Sequence, residues 1–197
     1  LFRSAIVKIT KGCNLRCKYC YIENKDEFDG KFMSFEDFKQ LVKRIIEDKK
    51  YKPSHRFSFV FHGGEPLTAG YDRLKKMLEY SEMMFHLNGI KVNYGIQSNL
   101  TLLNPKMIRL LNRYGIGIGA SFDGFGKSNL VRLGDKLNKK MVLEDKIKLI
   151  QENDGELGVL SVVTPTNYKT IIRDSNKLLK KYKSAGNVKI NRVENVL

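Results

Sequence analysis

The chain has 197 residues, of which 36 are basic and 21 acidic, for a formal charge of +15. That length suits one globular domain with a sizeable core, and 42% hydrophobic beside 29% charged residues excludes wholesale disorder. No apolar run approaches the roughly 20 residues of a membrane span, and no charged-then-apolar leader reads as a signal peptide, so the sequence points to a soluble, cytoplasmic protein.

In chain order, Ser4–Thr10 reads as a first strand that stops just before a cysteine-bearing loop. Ser34 is a good helix N-cap with Asp37 three residues on, and Phe35, Phe38, Leu41, Val42, Ile45 and Ile46 form the apolar stripe behind it. Phe57–Phe61 is a short apolar strand that runs into His62-Gly63-Gly64-Glu65-Pro66. A helix follows near Tyr71–Leu87, with Leu74, Met77, Leu78, Met84 and Phe85 on one face, and Val92–Gln97 is a third strand. Asn104 and Pro105 occupy cap and first-turn positions of a helix that Gly115 closes. Strands are expected at Ile116–Ser121, Leu157–Thr164 and Val188–Val193, with helices near Val142–Gln151 and Tyr168–Lys183. Phe125–Lys140, rich in Gly, Asn and Lys, is expected to be irregular.

Six strands alternating with five helices predict an α/β fold with a parallel sheet and right-handed crossovers. A closed eight-unit barrel takes about 250 residues, so six units imply an open, TIM-like partial (β/α)6 barrel. In such folds the chemistry gathers in loops beyond the carboxyl ends of the strands. Gly115-Ile-Gly117-Ile-Gly119-Ala120 matches a dinucleotide-binding fingerprint. It follows a helix and is itself the strand, which is the wrong context, so these glycines read as small residues of a crowded interior.

The charge invites a nucleic-acid partner, but the basic residues are spread over every segment without a run of five or six. They read as solvated outer helix faces, with an acidic substrate or partner as the functional alternative. The three cysteines are more informative. Cys13, Cys17 and Cys20 fall within eight residues, among Lys11, Gly12, Asn14, Arg16 and Lys18. An odd count cannot complete a disulfide framework, and three soft ligands on one polar loop point to a soft metal or an iron–sulfur cluster. Zinc usually takes four protein ligands, and His62 could complete a Cys3His site. Three thiolates on a four-iron cluster would instead leave one iron open, as a reactive metal site requires.

The spacing C-x3-C-x2-C with aromatic Tyr19 before the last cysteine resembles the signature of the radical S-adenosylmethionine (radical SAM) superfamily. The resemblance implies a [4Fe-4S] cluster on Cys13, Cys17 and Cys20, with S-adenosylmethionine chelating the open iron. Its reductive cleavage would yield a 5′-deoxyadenosyl radical that takes a hydrogen atom from the substrate. Gly63, Gly64 and Glu65 match the family's GGEP motif, which holds the amino group of S-adenosylmethionine; a carboxylate suits an ammonium. Gln97–Leu103 is similar to a Gln-Thr-Asn-Gly-x-Leu-Leu segment, with Ser98 a cofactor contact and Leu100 in place of the glycine. Ser121 of Ser-Phe-Asp-Gly would hydrogen-bond the cofactor. Arg132 would contact its carboxylate or ribose, with Arg192 as competitor, while Tyr19 and Val193 would lie by the adenine. His55 and His86 read as structural, and His62 as either a cavity residue or a satisfied strand-end histidine.

Lys8-Ile9-Thr10, Cys-Asn-Leu-Arg-Cys, Tyr-Cys-Tyr and His-Gly-Gly-Glu-Pro-Leu most resemble maturases of the SPASM or Twitch type. That implies a peptide or protein substrate and a flavodoxin- or ferredoxin-type electron donor. Such relatives carry further cysteines after the barrel, and this chain has none after Cys20. Residues 1–197 therefore read as a core domain cut before a C-terminal auxiliary-cluster domain, or as a one-cluster protein, and no catalytic acid or base is assigned. The chain begins at Leu1 and ends on Asn195-Val196-Leu197, which also reads as part of something longer. Two alternatives are a radical SAM enzyme of a small metabolite or nucleotide, and a zinc-bearing nucleic-acid-binding module.

Overall fold

A computed structural model describes residues 3–22, 31–48, 56–125, 132, 142–183 and 185–192. Local rules set most of its elements. Strand β1 (Ser4–Lys8) is followed by helix α1 (Phe35–Glu47), which Ser34 caps by accepting the Asp37 N–H at 3.0 Å. Then come β2 (Phe57–His62), a 3-10 turn (Pro66–Ala69), α2 (Tyr71–Leu87) and β3 (Val92–Ser98). Helix α3 (Pro105–Arg113) is capped by Asn104, whose Oδ1 accepts the Met107 N–H at 2.9 Å, and it ends at Gly115 with φ +58°. Only a residue free of a Cβ takes that left-handed turn without strain. Strand β4 (Gly117–Ser121), α4 (Val142–Glu152), β5 (Leu157–Val163), α5 (Ile171–Lys181) and β6 (Ala185–Arg192) complete the series.

The six strands form one parallel sheet in the order β1-β2-β3-β4-β5-β6. With helices between successive strands, this is the open (β/α)6 partial barrel that the alternation predicts. Alternate residues divide the sheet into two faces. Phe57, Phe59 and Phe61 of β2 are fully buried against the helices. Phe59 meets Phe38 of α1, Phe85 of α2 and Tyr94 of β3 at ring-centroid distances of 5.9, 6.0 and 6.0 Å, all edge-on. Such pairs contribute about 0.5–1.5 kcal/mol each beyond the area they bury. The opposite face carries Val60, His62, Gly95, Gln97, Gly119, Ser121, Leu160 and Val162, all only partly buried. That concave face is available for a site.

Element ends differ from expectation where a side chain or turn intervenes. Strand β1 stops at Lys8 because Thr10 leaves the sheet to bridge Phe32, while its hydroxyl donates to the Lys31 carbonyl at 2.9 Å. Strand β6 begins at Ala185, ahead of Val188, because Gly186 and Asn187 read as turn residues yet sit at a bulge against Leu157 and Gly158. Helix α5 begins at Ile171 rather than Tyr168 because Asn167 Oδ1 takes the Thr164 N–H at 2.7 Å and holds a turn there. The glycines 117 and 119 lie in β4, as the rejected fingerprint reading requires. Of the stretch expected to be irregular, only Phe125 and Arg132 are among the described residues.

Candidate active site

The carboxyl ends of the strands open onto a cavity of about 700 Å³. All three cysteines line it, with Tyr19, His62, Gly63, Gly64, Gln97, Ser98, Asn99, Ser121 and Arg132. Residues from β1's loop, β2, β3, β4 and the segment after β4 thus meet at one place, although 119 positions separate Cys13 from Arg132 in the chain. Leu160, Val162, Ile190 and Asn191 supply the wall from β5 and β6. Val193, expected there, is outside the described residues, and Arg192 is the last residue of β6.

The cysteine loop and the Gly-Gly loop are built on each other. Gly64 N–H donates to the Thr10 carbonyl at 3.0 Å and Glu65 N–H to the Gly12 carbonyl at 2.9 Å. A Cβ on Gly63 would sit 2.3 Å from the Thr10 oxygen, and one on Gly64 would sit 2.2 Å from the Gly12 oxygen. The glycines therefore serve first to let the two main chains touch, a use the motif alone does not disclose.

Glu65 is turned inward. Its carboxylate accepts the Ser98 hydroxyl at 2.8 Å, the Leu67 N–H at 2.9 Å and the Asn99 N–H at 2.7 Å, and only 1% of the residue is exposed. Burial pushes its pKa up, and those three donors oppose the shift. It ties the Gly-Gly loop to the end of β3 and is not among the cavity-lining side chains. Ser98 is equally occupied, donating to Glu65 and accepting the Leu100 N–H at 2.9 Å. Ser121 accepts the Gln97 side-chain amide at 3.1 Å, and Gly119 leaves the room for Gln97 to lie across β4, since a Cβ there would be 2.2 Å from Gln97 Oε1.

A second hub, absent from the sequence-level site, is Asp123, which is 1% exposed. Its carboxylate accepts the Tyr19 hydroxyl and the Val162 N–H (2.8 Å) and pairs with Arg132 Nε at 3.6 Å. Its main-chain oxygen accepts the Asn167 side-chain amide at 2.9 Å. Burial raises the Asp123 pKa against the pull of Arg132 and Tyr19, and burial raises that of Tyr19 as well. The Ser-Phe-Asp-Gly motif was the signal for Asp123; nothing local marked Asn167.

Arg132 is 3% exposed and donates from Nη1 to the Ser121 carbonyl, but its Nε has no hydrogen-bond partner. Its Nε instead faces the Asp123 carboxylate at ion-pair distance, and as a cavity-lining guanidinium Arg132 suits an anionic ligand group. His62 lines the same cavity and its Nδ1 accepts the Gly63 N–H at 2.8 Å, so the neutral ring carries its proton on Nε2. Burial lowers its pKa, with Lys8 adding to the shift. Both expected readings of His62 hold together. His86, at the end of α2, is solvent-exposed, and His55 lies outside the described residues.

The Cys13 sulfur faces the Leu15 N–H at 3.4 Å and the Asn99 side-chain amide at 3.8 Å, and the Cys17 thiol donates to the Arg132 carbonyl at 3.7 Å. Burial raises the thiol pKa of both. Among the described residues no three His, Cys, Asp or Glu side chains converge on a single ion. Thiolates that bind separate irons of a cluster have no need to.

The sequence model of the Radical SAM superfamily matches residues 7–172. The chain belongs to the radical SAM superfamily. This sets aside the zinc-bearing nucleic-acid module. As a radical SAM protein it uses a [4Fe-4S] cluster and S-adenosylmethionine, and its cavity fits them in donor chemistry: three soft thiols on one loop, with a guanidinium on the same wall. The chain is 28% identical over 165 residues to an uncharacterized protein of Methanocaldococcus jannaschii, covering 82% of this chain and 53% of that protein. It is 27% identical over 180 residues to the cysteine-type anaerobic sulfatase-maturating enzyme of Clostridium perfringens, covering 88% and 46%. The structure described as native anSMEcpe with bound AdoMet and Kp18Cys peptide superposes with a TM-score of 0.82 at 26% identity, covering 98% of this chain and 52% of that one. The chain thus spans about half the length of these relatives. Among the described residues, no helix of this radical SAM protein is long and apolar enough to cross a membrane.

Proposed function

We propose that this radical SAM protein cleaves S-adenosylmethionine reductively and removes a hydrogen atom from a side chain of a peptide or protein. The observation that carries the reading is the single cavity in which the three thiols, the paired glycines and the buried Arg132 meet. The cluster and S-adenosylmethionine supply the radical chemistry when bound; the chain binds, orients and shields.

In this reading Cys13, Cys17 and Cys20 hold the cluster. Gly63 and Gly64 border the amino acid end of S-adenosylmethionine, and the Arg132 guanidinium, already paired with Asp123, lies toward its carboxylate. Tyr19, Ser121 and the β6 wall at Ile190 and Asn191 border the nucleoside. Glu65 and Ser98 act by holding the loops rather than by touching ligand. The peptide class is supported by the similarity to a sulfatase-maturating enzyme and by a peptide-bound structural neighbour. An acidic flavodoxin- or ferredoxin-type donor suits the exposed Lys11, Arg16 and Lys18 on the cysteine loop.

The test is anaerobic reconstitution with iron and sulfide, reduction with dithionite, and assay of 5′-deoxyadenosine with and without Cys- or Ser-containing peptides. Product formation that a peptide stimulates, and that Cys17→Ala abolishes, is expected. Cleavage retained in Cys17→Ala would overturn the cluster assignment, and stimulation by small metabolites alone would overturn the peptide class.

A further inference from the structure

At the end of β3 a ring of three side chains joins Asn99 and Thr101 to the cysteine loop. Asn99 Nδ2 donates to Asn14 Oδ1 at 3.0 Å, Asn14 Nδ2 donates to Thr101 Oγ1 at 2.7 Å, and the Thr101 hydroxyl donates to Asn99 Oδ1 at 2.6 Å. Asn99 Oδ1 also accepts the Thr101 main-chain N–H at 3.0 Å. A main-chain N–H can only donate, so the oxygen end of the Asn99 amide is fixed toward Thr101. The nitrogen end then faces the cysteine loop. One of its hydrogens serves Asn14, and the other is directed to the sulfur of Cys13, 3.8 Å from the nitrogen. Asn99 is itself held by its N–H on Glu65 Oε2 at 2.7 Å.

A donor aimed at a cluster-bound sulfur draws electron density from it and favours the more negative, reduced cluster. We propose that Asn99, oriented by Asn14 and Thr101, is a positioning residue that raises the reduction potential of the cluster through Cys13. The Leu15 N–H, at 3.4 Å from the same sulfur, is a second donor that comes from the loop's own main chain. The ring adds one from a different strand, so the potential depends on how β3 sits against the cysteine loop. The inference rests on Cys13 as a cluster ligand and is independent of the substrate class.

The experiment is a redox titration of the anaerobically reconstituted chain without S-adenosylmethionine, followed by the spectrum of the reduced cluster, with iron and sulfide measured on each sample. Asn99→Ala is expected to keep its cluster and to lower the reduced-to-oxidised ratio at a fixed ambient potential about tenfold, which is about 59 mV for a one-electron couple. Thr101→Val touches no sulfur and keeps the main-chain N–H on Asn99 Oδ1, but it removes the hydroxyl that donates to Asn99 and accepts from Asn14, so the loosened amide should shift the ratio in the same direction by a smaller factor. Full cluster content with an unmoved midpoint in both variants would overturn the inference and leave the cluster assignment standing. Should Asn99→Ala lose its cluster, Thr101→Val and Asn14→Ala decide; loss of the cluster in all three would show that the ring only holds the loop. A wild-type chain that takes up no cluster would overturn the assignment and the inference together.

Discussion

Leu100 has a left-handed backbone, φ +64°, and a side chain with no exposed surface. The backbone there favours glycine and the packing favours leucine, so the two facts pull in opposite directions. A non-glycine residue in that region costs about 1–2 kcal/mol, whereas truncating a buried leucine to alanine costs about 2–5 kcal/mol. Leu100→Ala keeps the backbone cost and loses the packing. Leu100→Gly loses the same packing but is relieved of the backbone cost. At an ordinary position glycine is less stable than alanine by about 0.5–1 kcal/mol; here it should be more stable by about 1 kcal/mol. For a domain of this size 1 kcal/mol is about 2–4 °C in Tm. Leu100→Ala should therefore lower Tm by roughly 4–20 °C, and Leu100→Gly should melt about 2–4 °C above it yet below wild type. Thermal unfolding followed by circular dichroism at one scan rate, on anaerobic samples of equal iron content, reads both differences. A glycine variant less stable than the alanine variant would refute the backbone argument, and one at or above wild type would refute the packing argument.

Gly64→Ala places a methyl group against a main-chain oxygen that cannot swing aside. It should cost about 3 kcal/mol, the upper end for overpacking, and lower cluster content; wild-type Tm and iron content would refute the loop-on-loop packing. His62 has a lowered folded pKa, so below its ordinary value of 6.5 the unfolded chain binds the proton more readily and stability falls as pH drops toward the folded pKa. Between pH 7 and pH 5 the Tm of His62→Gln should therefore decline less than that of wild type, and equal declines would count against the assignment. Replacing Lys11, Arg16 and Lys18 together by Glu should slow reduction by an acidic protein donor about tenfold or more at low ionic strength. Reduction by dithionite should be unaffected, and an unchanged protein-mediated rate would place the donor elsewhere.

Much of the fold was legible because its signals are local. Apolar period, the caps at Ser34 and Asn104, and the glycine at 115 depend on neighbours three or four residues away, and helices α1 and α3 formed accordingly. The ends that shifted, at Thr10, Ala185 and Ile171, are those at which a distant partner or a side-chain turn competes with the ladder.

By itself the sequence determined that three thiols share a loop, that six strands alternate with helices, and that the Gly-Gly-Glu-Pro and Ser-Phe-Asp-Gly segments lie at strand ends, where a parallel barrel collects its chemistry. Those are matters of spacing and period. The tertiary structure decided how the pieces face one another. It turned the Glu65 carboxylate onto Ser98, Leu67 and Asn99, made Asp123 the junction of Tyr19, Val162 and Arg132, and aimed the Asn99 amide at Cys13. Apart from the local Glu65–Leu67 cap, each of these joins groups far apart in the chain that meet only once the sheet has closed its register, and a hydrogen bond formed that way leaves no periodic trace in the sequence.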